Sequence, residues 1–179
     1  PYRFVAVIGI GFLVLVSLPE GRRALRDARV WLAVCIGALA WLPLLLWNLR
    51  NADAGLRFQL VERHPWAFHP DGVLFVAIQA LLVTPLLLFA LVRGGFARRT
   101  ADVAPGLRYL AWSGLWVLSG FFVLGFFADS ERVSFHWPLP GYIALLPLAL
   151  QVLSQWPHAL RRAAWTLVTL GLVAGLGYY

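Results

Sequence analysis

Methionine and lysine are absent from this chain of 179 residues, and cysteine occurs once, as Cys35. A single cysteine cannot form a disulfide within the chain, and no cysteine and histidine have the spacing of a metal site. We expect Cys35, which lies in an apolar run, to be a small buried apolar residue. Because the chain has no methionine, begins at Pro1 and ends at Tyr179 within an apolar run, we expect it to be an internal piece of a longer protein.

Charged residues are scarce. They make up 13% of the chain, whereas 61% is hydrophobic. A soluble domain has about 25% charged residues, so this composition excludes an ordinary soluble domain and indicates an integral membrane protein. All fifteen basic residues are arginine, and the formal net charge is +7. We do not expect nucleic-acid binding, because the arginines cluster in short loops between apolar runs, as in membrane proteins.

Long apolar runs dominate what the sequence does contain. A membrane-spanning helix needs about 20 mostly apolar residues, and about six runs approach that length. The predicted fold class is therefore all-α, a polytopic transmembrane helix bundle, forming a single transmembrane region over 1–179. The run 141–153 is short, so its helix either tilts or begins earlier, within Trp137–Pro140. The predicted spans are 2–18, 30–47, 72–92, 109–128, 141–153 and 163–179.

The loops between these runs differ in arginine content. Three of them hold four, four and two arginines, whereas the other two hold four arginines between them. Short loops rich in arginine remain in the cytoplasm. We therefore place the arginine-poor loops, 48–71 and 129–140, on the outer side of the membrane, and both ends of the chain with them. The arginine-rich loops are 19–29, 93–108 and 154–162.

Prolines lie in or beside three of the predicted spans. We interpret Pro43, Pro85 and Pro147 first as kinks and second as hinges, since membrane helices tolerate proline where neighbouring groups satisfy the freed carbonyl. Thr84, directly before Pro85, has a hydroxyl that can do so. No internal repeat with a period of 20–50 residues is present.

Small and polar residues within the spans predict helix contacts. Gly114, Gly120 and Gly125 indicate close packing of helices. Gln79 is the clearest polar side chain within a span, and an unsatisfied amide in lipid is costly. We favour a hydrogen bond from Gln79 to another helix, with a position facing a cavity as the alternative.

The first outer loop, 48–71, carries amide, arginine and carboxylate side chains beside aromatic residues. Asn48 lies at the end of a predicted span, so it is either a helix C-cap or a binding residue. Arg57, Gln59 and Arg63 can lie along one side of a short surface helix. Arginine suits phosphate because its planar fork donates two hydrogen bonds at once, while anchoring to lipid headgroups is the alternative.

The second outer loop, 129–140, is rigid and aromatic around His136, Trp137 and Pro138. Prolines fix φ and restrict the preceding residue to extended shapes, which suits the wall of a ligand site. An interfacial aromatic anchor followed by a helix start explains the same residues. His136 can act as an acid or a base near neutral pH, although a lone histidine is more often a hydrogen-bonding surface residue.

No catalytic arrangement is complete within the chain. There is no Ser/His/Asp pattern, no glycine-rich phosphate loop and no metalloprotease motif. A general base would have to be His136 or one of the carboxylates of the outer loops. Those carboxylates are Asp53, Glu62, Asp71, Asp129 and Glu131.

Three stretches resemble one known family. Leu42–Asn48, followed by Leu56–Gln59, resembles the "P-x-x-x-W-N … F-x-F-Q" stretch of bacterial glycosyltransferase family 39 proteins. These are similar to protein mannosyltransferases and to the lipid A aminoarabinose transferase. Gln79–Pro85 resembles the "Q-x-x-x-x-x-P" of the family's next span, and Ser134–Tyr142 resembles its "N/H-W-P-x-P-x-Y" stretch. The spacing between the motifs agrees, and the resemblance covers most of the chain.

The resemblance implies the C-terminal part of the membrane domain of a GT-C-type transferase in the bacterial inner membrane. Such enzymes take a sugar from a polyprenyl-phosphate carrier and pass it to a glycan, lipid or protein acceptor at the periplasmic face. Their catalytic Asp lies in the first large outer loop near the N-terminus, so we expect no catalytic residue within this chain. Some members use a divalent metal, but no recognisable metal site is present here.

The resemblance also implies which residues bind substrate. The leaving group is a polyprenyl phosphate, and arginines of the outer loops would stabilise its growing charge, while aromatic rings would stack on the sugar or the first isoprenes. The alternative function is a transporter or flippase of lipid-linked or small solutes, although the chain has almost no charge within its spans. The substrate-binding candidates are Asn48, Arg57, Phe58, Gln59, Arg63, Arg132, His136, Trp137 and Tyr142.

Overall fold

A computed structural model describes residues 2–52, 54–58, 67–100, 102–127 and 135–177. Within these ranges every regular element is an α-helix, which confirms the all-α fold class. The chain divides into two compact units, Pro1–Ala67 and Phe68–Tyr179.

The first unit contains five helices in its described residues. The side chain of Asp27 caps the third of them by accepting a hydrogen bond of 2.9 Å from the Arg29 backbone N–H. The third and fourth helices meet at a bend of 42°, and Pro43 lies in the first turn after it. The helices are α1 (Tyr2–Ser17), α2 (Pro19–Ala24), α3 (Ala28–Leu39), α4 (Leu42–Arg50) and α5 (Ala54–Arg57).

Cys35 is exposed on α3, so the expectation of a buried cysteine is wrong. No residue of α3 is buried in this unit, although the helix is apolar. An apolar side chain need not pack inside the protein when lipid surrounds it, because lipid tails are as apolar as leucine.

The second unit contains the core. Its most buried hydrophobic side chains come from three helices and include Leu91, Ala111, Leu145 and Leu148, each at most 1% exposed. The helices of this unit are α6 (Gly72–Val83), α7 (Pro85–Ala97), α8 (Pro105–Gly125), α9 (Leu139–Ser154) and α10 (His158–Gly177).

The three span prolines have different effects. Pro147 lies inside α9, which continues through it, whereas Pro85 follows a bend of 99° between α6 and α7. Thr84 occupies that bend with φ of 68°. Its Oγ1 is buried and has no hydrogen-bond partner among the described residues, so the expectation that it satisfies a freed carbonyl is wrong. A threonine reaches the carbonyl one turn earlier only from a helical backbone, and α6 ends at Val83.

Two of the three glycines predicted to pack closely do so. A Cβ at Gly114 would lie 2.6 Å from Leu145 Cγ, and one at Gly125 would lie 2.7 Å from the Phe75 ring. A Cβ at Gly120 would have nothing within 4 Å, so the prediction is wrong there. Gly120 lies on an exposed face of α8, where no neighbouring helix approaches.

Among the described residues, α8 alone is long and apolar enough to cross a membrane by itself. The pair α3 and α4 and the pair α6 and α7 each qualify if the bent pair is one span, which gives up to three spans by length and composition. The apolar helices Phe4–Ser17 and α9 are shorter. The six predicted spans therefore stay a prediction.

Candidate functional site

A buried polar link joins α6 to α9. Gln79 is 1% exposed, and its Nε2 donates a hydrogen bond of 2.8 Å to the backbone carbonyl of Phe135. The Tyr142 hydroxyl donates to Gln79 Oε1 at 3.0 Å. The amide is thus bound through both its nitrogen and its oxygen, which is the condition for burying it. The predicted helix-to-helix hydrogen bond of Gln79 is confirmed.

The same link fixes the segment that leads into α9. Phe135 lies in this segment, and its ring stacks on Phe75 with 6.3 Å between centroids and 16° between planes. Phe75 in turn meets Phe122 edge-on at 6.5 Å. Phe75 lies one turn before Gln79 on the same side of α6, so one face of this helix supplies both the amide and the ring.

Residues 135–138 form a turn, and α9 begins directly after it. Pro138 is the N-cap residue of α9, and the Leu139 N–H bonds to the His136 carbonyl at 3.2 Å. The predicted helix start within Trp137–Pro140 is confirmed. Proline is well placed here because the first turn of a helix has N–H groups without helical partners.

Two neighbouring side chains of this turn, Trp137 and His136, differ in exposure. Trp137 is 6% exposed and packs against Phe121 with 6.2 Å between ring centroids. It is therefore part of the helix packing, and not an anchor standing at the surface of the unit. His136 is exposed, so it is the ionisable group that the turn presents outward. Their predicted contacts with substrate stay predictions.

The chain entering α6 lies beside the chain leaving α8. The His69 N–H donates to the Phe126 carbonyl at 2.7 Å, and the Phe68 ring stacks on the Phe126 ring at 5.8 Å. A Cβ at Gly72 would lie 2.6 Å from the Phe126 ring. The start of α6 and the end of α8 are thus tied together at one end of this unit.

Three candidates of the first outer loop are described within the first unit. Asn48 is 1% exposed and lies inside α4, where its Nδ2 donates to the Leu44 carbonyl at 2.9 Å. Asn51 is the C-cap residue, so the C-cap interpretation of Asn48 is wrong: the helix continues past it to Arg50. Arg57 ends α5 and is exposed, and Phe58 is 42% exposed.

The remaining candidates, Gln59, Arg63 and Arg132, lie outside the described residues. The surface helix predicted for Arg57, Gln59 and Arg63 is therefore described only as far as α5, Ala54–Arg57. Within the described ranges, no group of three or more His, Cys, Asp or Glu side chains could hold a metal ion.

Sequence reasoning missed two features of this region. The stacking of Phe75 on Phe135 could have been found from the sequence. Phe75 lies four residues before Gln79 and shares its helix face, so a segment that contacts Gln79 is also near Phe75. The positive φ of Thr84 had no such signal in the sequence, because a β-branched residue is among the least expected there.

The chain is similar in sequence to a known enzyme. No protein-family model and no solved structure matches the chain. It is 27% identical over 165 residues to the lipid A galacturonosyltransferase RgtD of Rhizobium johnstonii. The match covers 89% of this chain but 34% of that protein, so the chain spans about a third of the length of this curated relative. Over most of its own length, the chain is therefore similar to a glycosyltransferase.

Proposed function

We propose that the chain is part of an integral membrane glycosyltransferase. It would move a sugar from a polyprenyl-phosphate carrier to an acceptor at the periplasmic face of the bacterial inner membrane. The observation that carries the proposal is the similarity to a lipid A galacturonosyltransferase over 89% of the chain. The name of that relative makes lipid A the first acceptor to test.

The polar link between α6 and α9 supports this proposal. Gln79 and Tyr142 belong to two of the stretches that resemble the glycosyltransferase family, and they share a hydrogen bond across 63 positions of sequence. A site for a sugar carrier needs a wall with a fixed backbone, because reaction rates fall steeply when bound groups are misplaced. The bond from Gln79 to the Phe135 carbonyl supplies such a constraint directly before His136.

The proposed chemistry assigns one task to the arginines of the outer loops and another to their aromatic residues. Arg57, Arg63 or Arg132 would stabilise the charge that grows on the carrier phosphate as the glycosidic bond breaks. Phe58 and Trp137 would border the sugar or the first isoprenes. The remaining substrate-binding candidates are Asn48, Gln59, His136 and Tyr142.

Transfer by the full-length protein tests the arginine assignment. Membranes carrying Arg57→Ala or Arg132→Ala are supplied with a polyprenyl-phosphate sugar and lipid A, and the labelled product is counted. Loss of one donor to a developing anion costs about a hundredfold to a thousandfold in rate. Arg26→Ala, which removes an exposed arginine of a predicted cytoplasmic loop, is the matched control and should transfer normally. Unchanged transfer by both outer-loop variants would overturn the assignment.

A transporter or flippase is the second candidate, and one observation favours it. The bend of 99° between α6 and α7 marks a broken span or a re-entrant loop, and broken helices line substrate sites in transporters. The two candidates differ in what happens to the lipid, because a flippase moves it without breaking a bond. Conversion of the labelled donor to free polyprenyl phosphate in reconstituted vesicles supports the transferase, while movement of the intact donor supports the flippase.

A further inference from the structure

The helix α7 has two faces of different character. Its inward face is tightly packed: Ala90 and Leu91 are at most 1% exposed, and a Cβ at Gly94 would lie 2.8 Å from the Leu148 backbone. Its outward face forms an open groove of about 410 Å³. The groove residues follow the helical spacing of one stripe: Phe89, Val92, Arg93, Phe96 and Ala97.

Arg93 is the charged residue of this apolar stripe. It makes no hydrogen bond or ion pair with the rest of the described chain. Phe89 and Phe96, one turn to either side, are 56% and 50% exposed, so the groove has aromatic walls open to the surroundings. A cation on a lipid-facing surface is costly unless it reaches the boundary or meets an anion.

The carboxylate nearest in sequence is held elsewhere. Asp102 hydrogen-bonds the Thr100 side chain and also lies near Arg98, and these interactions hold the pKa of its carboxyl below the usual value. Segment 93–108 otherwise carries arginines, four of them against this one acid. The groove therefore has an excess of positive charge that its own segment does not neutralise.

A second arginine is fixed at the end of the groove. The Arg99 guanidinium lies over the Phe96 ring at 4.8 Å and near the Trp112 ring at 5.8 Å. Trp112 Nε1 also donates to the Arg99 carbonyl at 3.3 Å. Phe96 thus lines the groove and also makes a cation–π contact with Arg99, which fixes the position of this second positive charge at the end of the groove.

We propose that this groove binds an anionic glycerophospholipid of the surrounding leaflet, with its phosphate on Arg93 and its first acyl carbons against Phe89 and Phe96. Charge complementarity and depth support this occupant. Arg93 precedes the polar residues that begin at Arg98 by five positions, about 7.5 Å along a helix, which a long side chain can reach across. A water takes about 30 Å³ in the liquid, so a groove of about 410 Å³ has room for a phosphate and several carbons. The inference is independent of the proposed transferase activity.

Lipid retention by the full-length protein tests the inference. The purified protein is incubated with phosphatidylglycerol or phosphatidylcholine, and the affinity for each is measured by native mass spectrometry or by a lipid-induced rise in Tm. About 0.5 M salt, with a Debye length of roughly 4 Å, suppresses general attraction between arginines and anionic lipid. The variants are Arg93→Gln and Arg93→Lys. The matched control is Arg98→Gln, which removes the same charge five positions away and outside the groove.

We expect Arg93→Gln to weaken phosphatidylglycerol binding about tenfold or more, since it removes a charge-assisted hydrogen bond to the phosphate. Arg93→Lys should retain part of the affinity, and Arg98→Gln should lose much less than Arg93→Gln. An unchanged Tm in phosphatidylcholine confirms that each variant is folded. Equal losses in Arg93→Gln and Arg98→Gln would overturn the inference. So would tighter binding of polyprenyl phosphate than of phosphatidylglycerol, because the groove would then take the carrier.

Discussion

At the scale of the residue, two glutamines show how differently a buried amide can be accommodated. Gln79 bonds through both ends of its amide, to the Phe135 carbonyl and the Tyr142 hydroxyl. Gln151 in α9 has a buried Oε1 without a partner among the described residues. In a low-dielectric interior a bonded amide stabilises the fold and an unbonded one costs free energy, so the two positions should respond oppositely to an apolar side chain.

We expect Gln79→Leu to lower the free energy of unfolding of the full-length protein by about 1–2 kcal/mol, because two polar groups lose their partner. Tyr142→Phe should lower the free energy of unfolding less than Gln79→Leu does. When Gln79 is already leucine, Tyr142→Phe should lower it little further. Thermal unfolding in detergent of the unchanged protein, the two single variants and the double variant measures this difference as a coupling energy. Gln151→Leu is the control and should be neutral or stabilising. Additive effects of Gln79→Leu and Tyr142→Phe would contradict the link.

Thr84 is a second test at this scale. Its φ of 68° and ψ of 138° lie in a region that a β-branched residue rarely adopts and that glycine, without a Cβ, tolerates better. We expect Thr84→Gly to raise the Tm. The free energy of unfolding should increase by about 1 kcal/mol, because the relief of backbone strain exceeds the cost of the greater entropy of glycine in the unfolded chain. Thr169→Gly, in the ordinary helix α10, should lower stability by about 0.5 kcal/mol. A loss at Thr84 equal to that at Thr169 would mean that the strain is not relieved.

At the scale of the element, glycines decide how closely α7, α8 and α9 approach each other. A Cβ at Gly94 would lie 2.8 Å from the Leu148 carbonyl oxygen, and a Cβ at Gly141 would lie 3.1 Å from the Gly114 carbonyl oxygen. Contacts with backbone atoms cannot be relieved by rotating a side chain. Close packing of small residues supplies the van der Waals contact that holds helices together in lipid, where the hydrophobic effect between helices is lost.

Gly94→Ala should therefore separate α7 from α9 and destabilise the protein by about 1–3 kcal/mol. Gly120→Ala is the matched control, since it adds the same methyl group where nothing lies within 4 Å. It should be neutral or stabilise α8 by up to about 1 kcal/mol through helix propensity. The Tm values of the two variants decide the matter, and a similar loss in both would show that the close approach of α7 and α9 is not limiting.

At the scale of the whole molecule, the two termini of α8 mark the two ends of the second unit. Its 21 residues span about 31 Å, which matches a hydrocarbon core of about 30 Å. Asp102 precedes its first residue, and the His69 N–H bonds to the Phe126 carbonyl directly after its last. If α8 crosses the membrane, His69 and Asp102 lie on opposite sides of it.

Labelling of single cysteines in intact cells tests this topology. In a background where Cys35 and any other cysteine of the full-length protein are replaced by alanine, His69→Cys should react with a membrane-impermeant maleimide, because the arginine-poor loops are predicted to be periplasmic. Asp102→Cys should react only after the inner membrane is permeabilised. Labelling of both positions from one side would contradict a crossing by α8, and the reverse pattern would contradict the predicted orientation.

The sequence by itself determined the all-α class of the protein. Apolar runs and scarce charge predict lipid as the surroundings, and in lipid a chain must satisfy its backbone internally, which a helix does. The same reasoning favoured a hydrogen-bond partner for Gln79. These conclusions depend on local composition and solvent, so no knowledge of the tertiary structure was needed.

Only the tertiary structure decided which faces of the helices meet. It identified Tyr142 as the partner of Gln79, buried Trp137 against Phe121, and distinguished the packed Gly114 from the open Gly120. In a membrane protein both the buried and the lipid-facing sides of a helix are apolar, so the hydrophobic periodicity that reveals the core side of a soluble helix is weak. The packing direction is therefore set by shape and by a few polar contacts between residues distant in sequence.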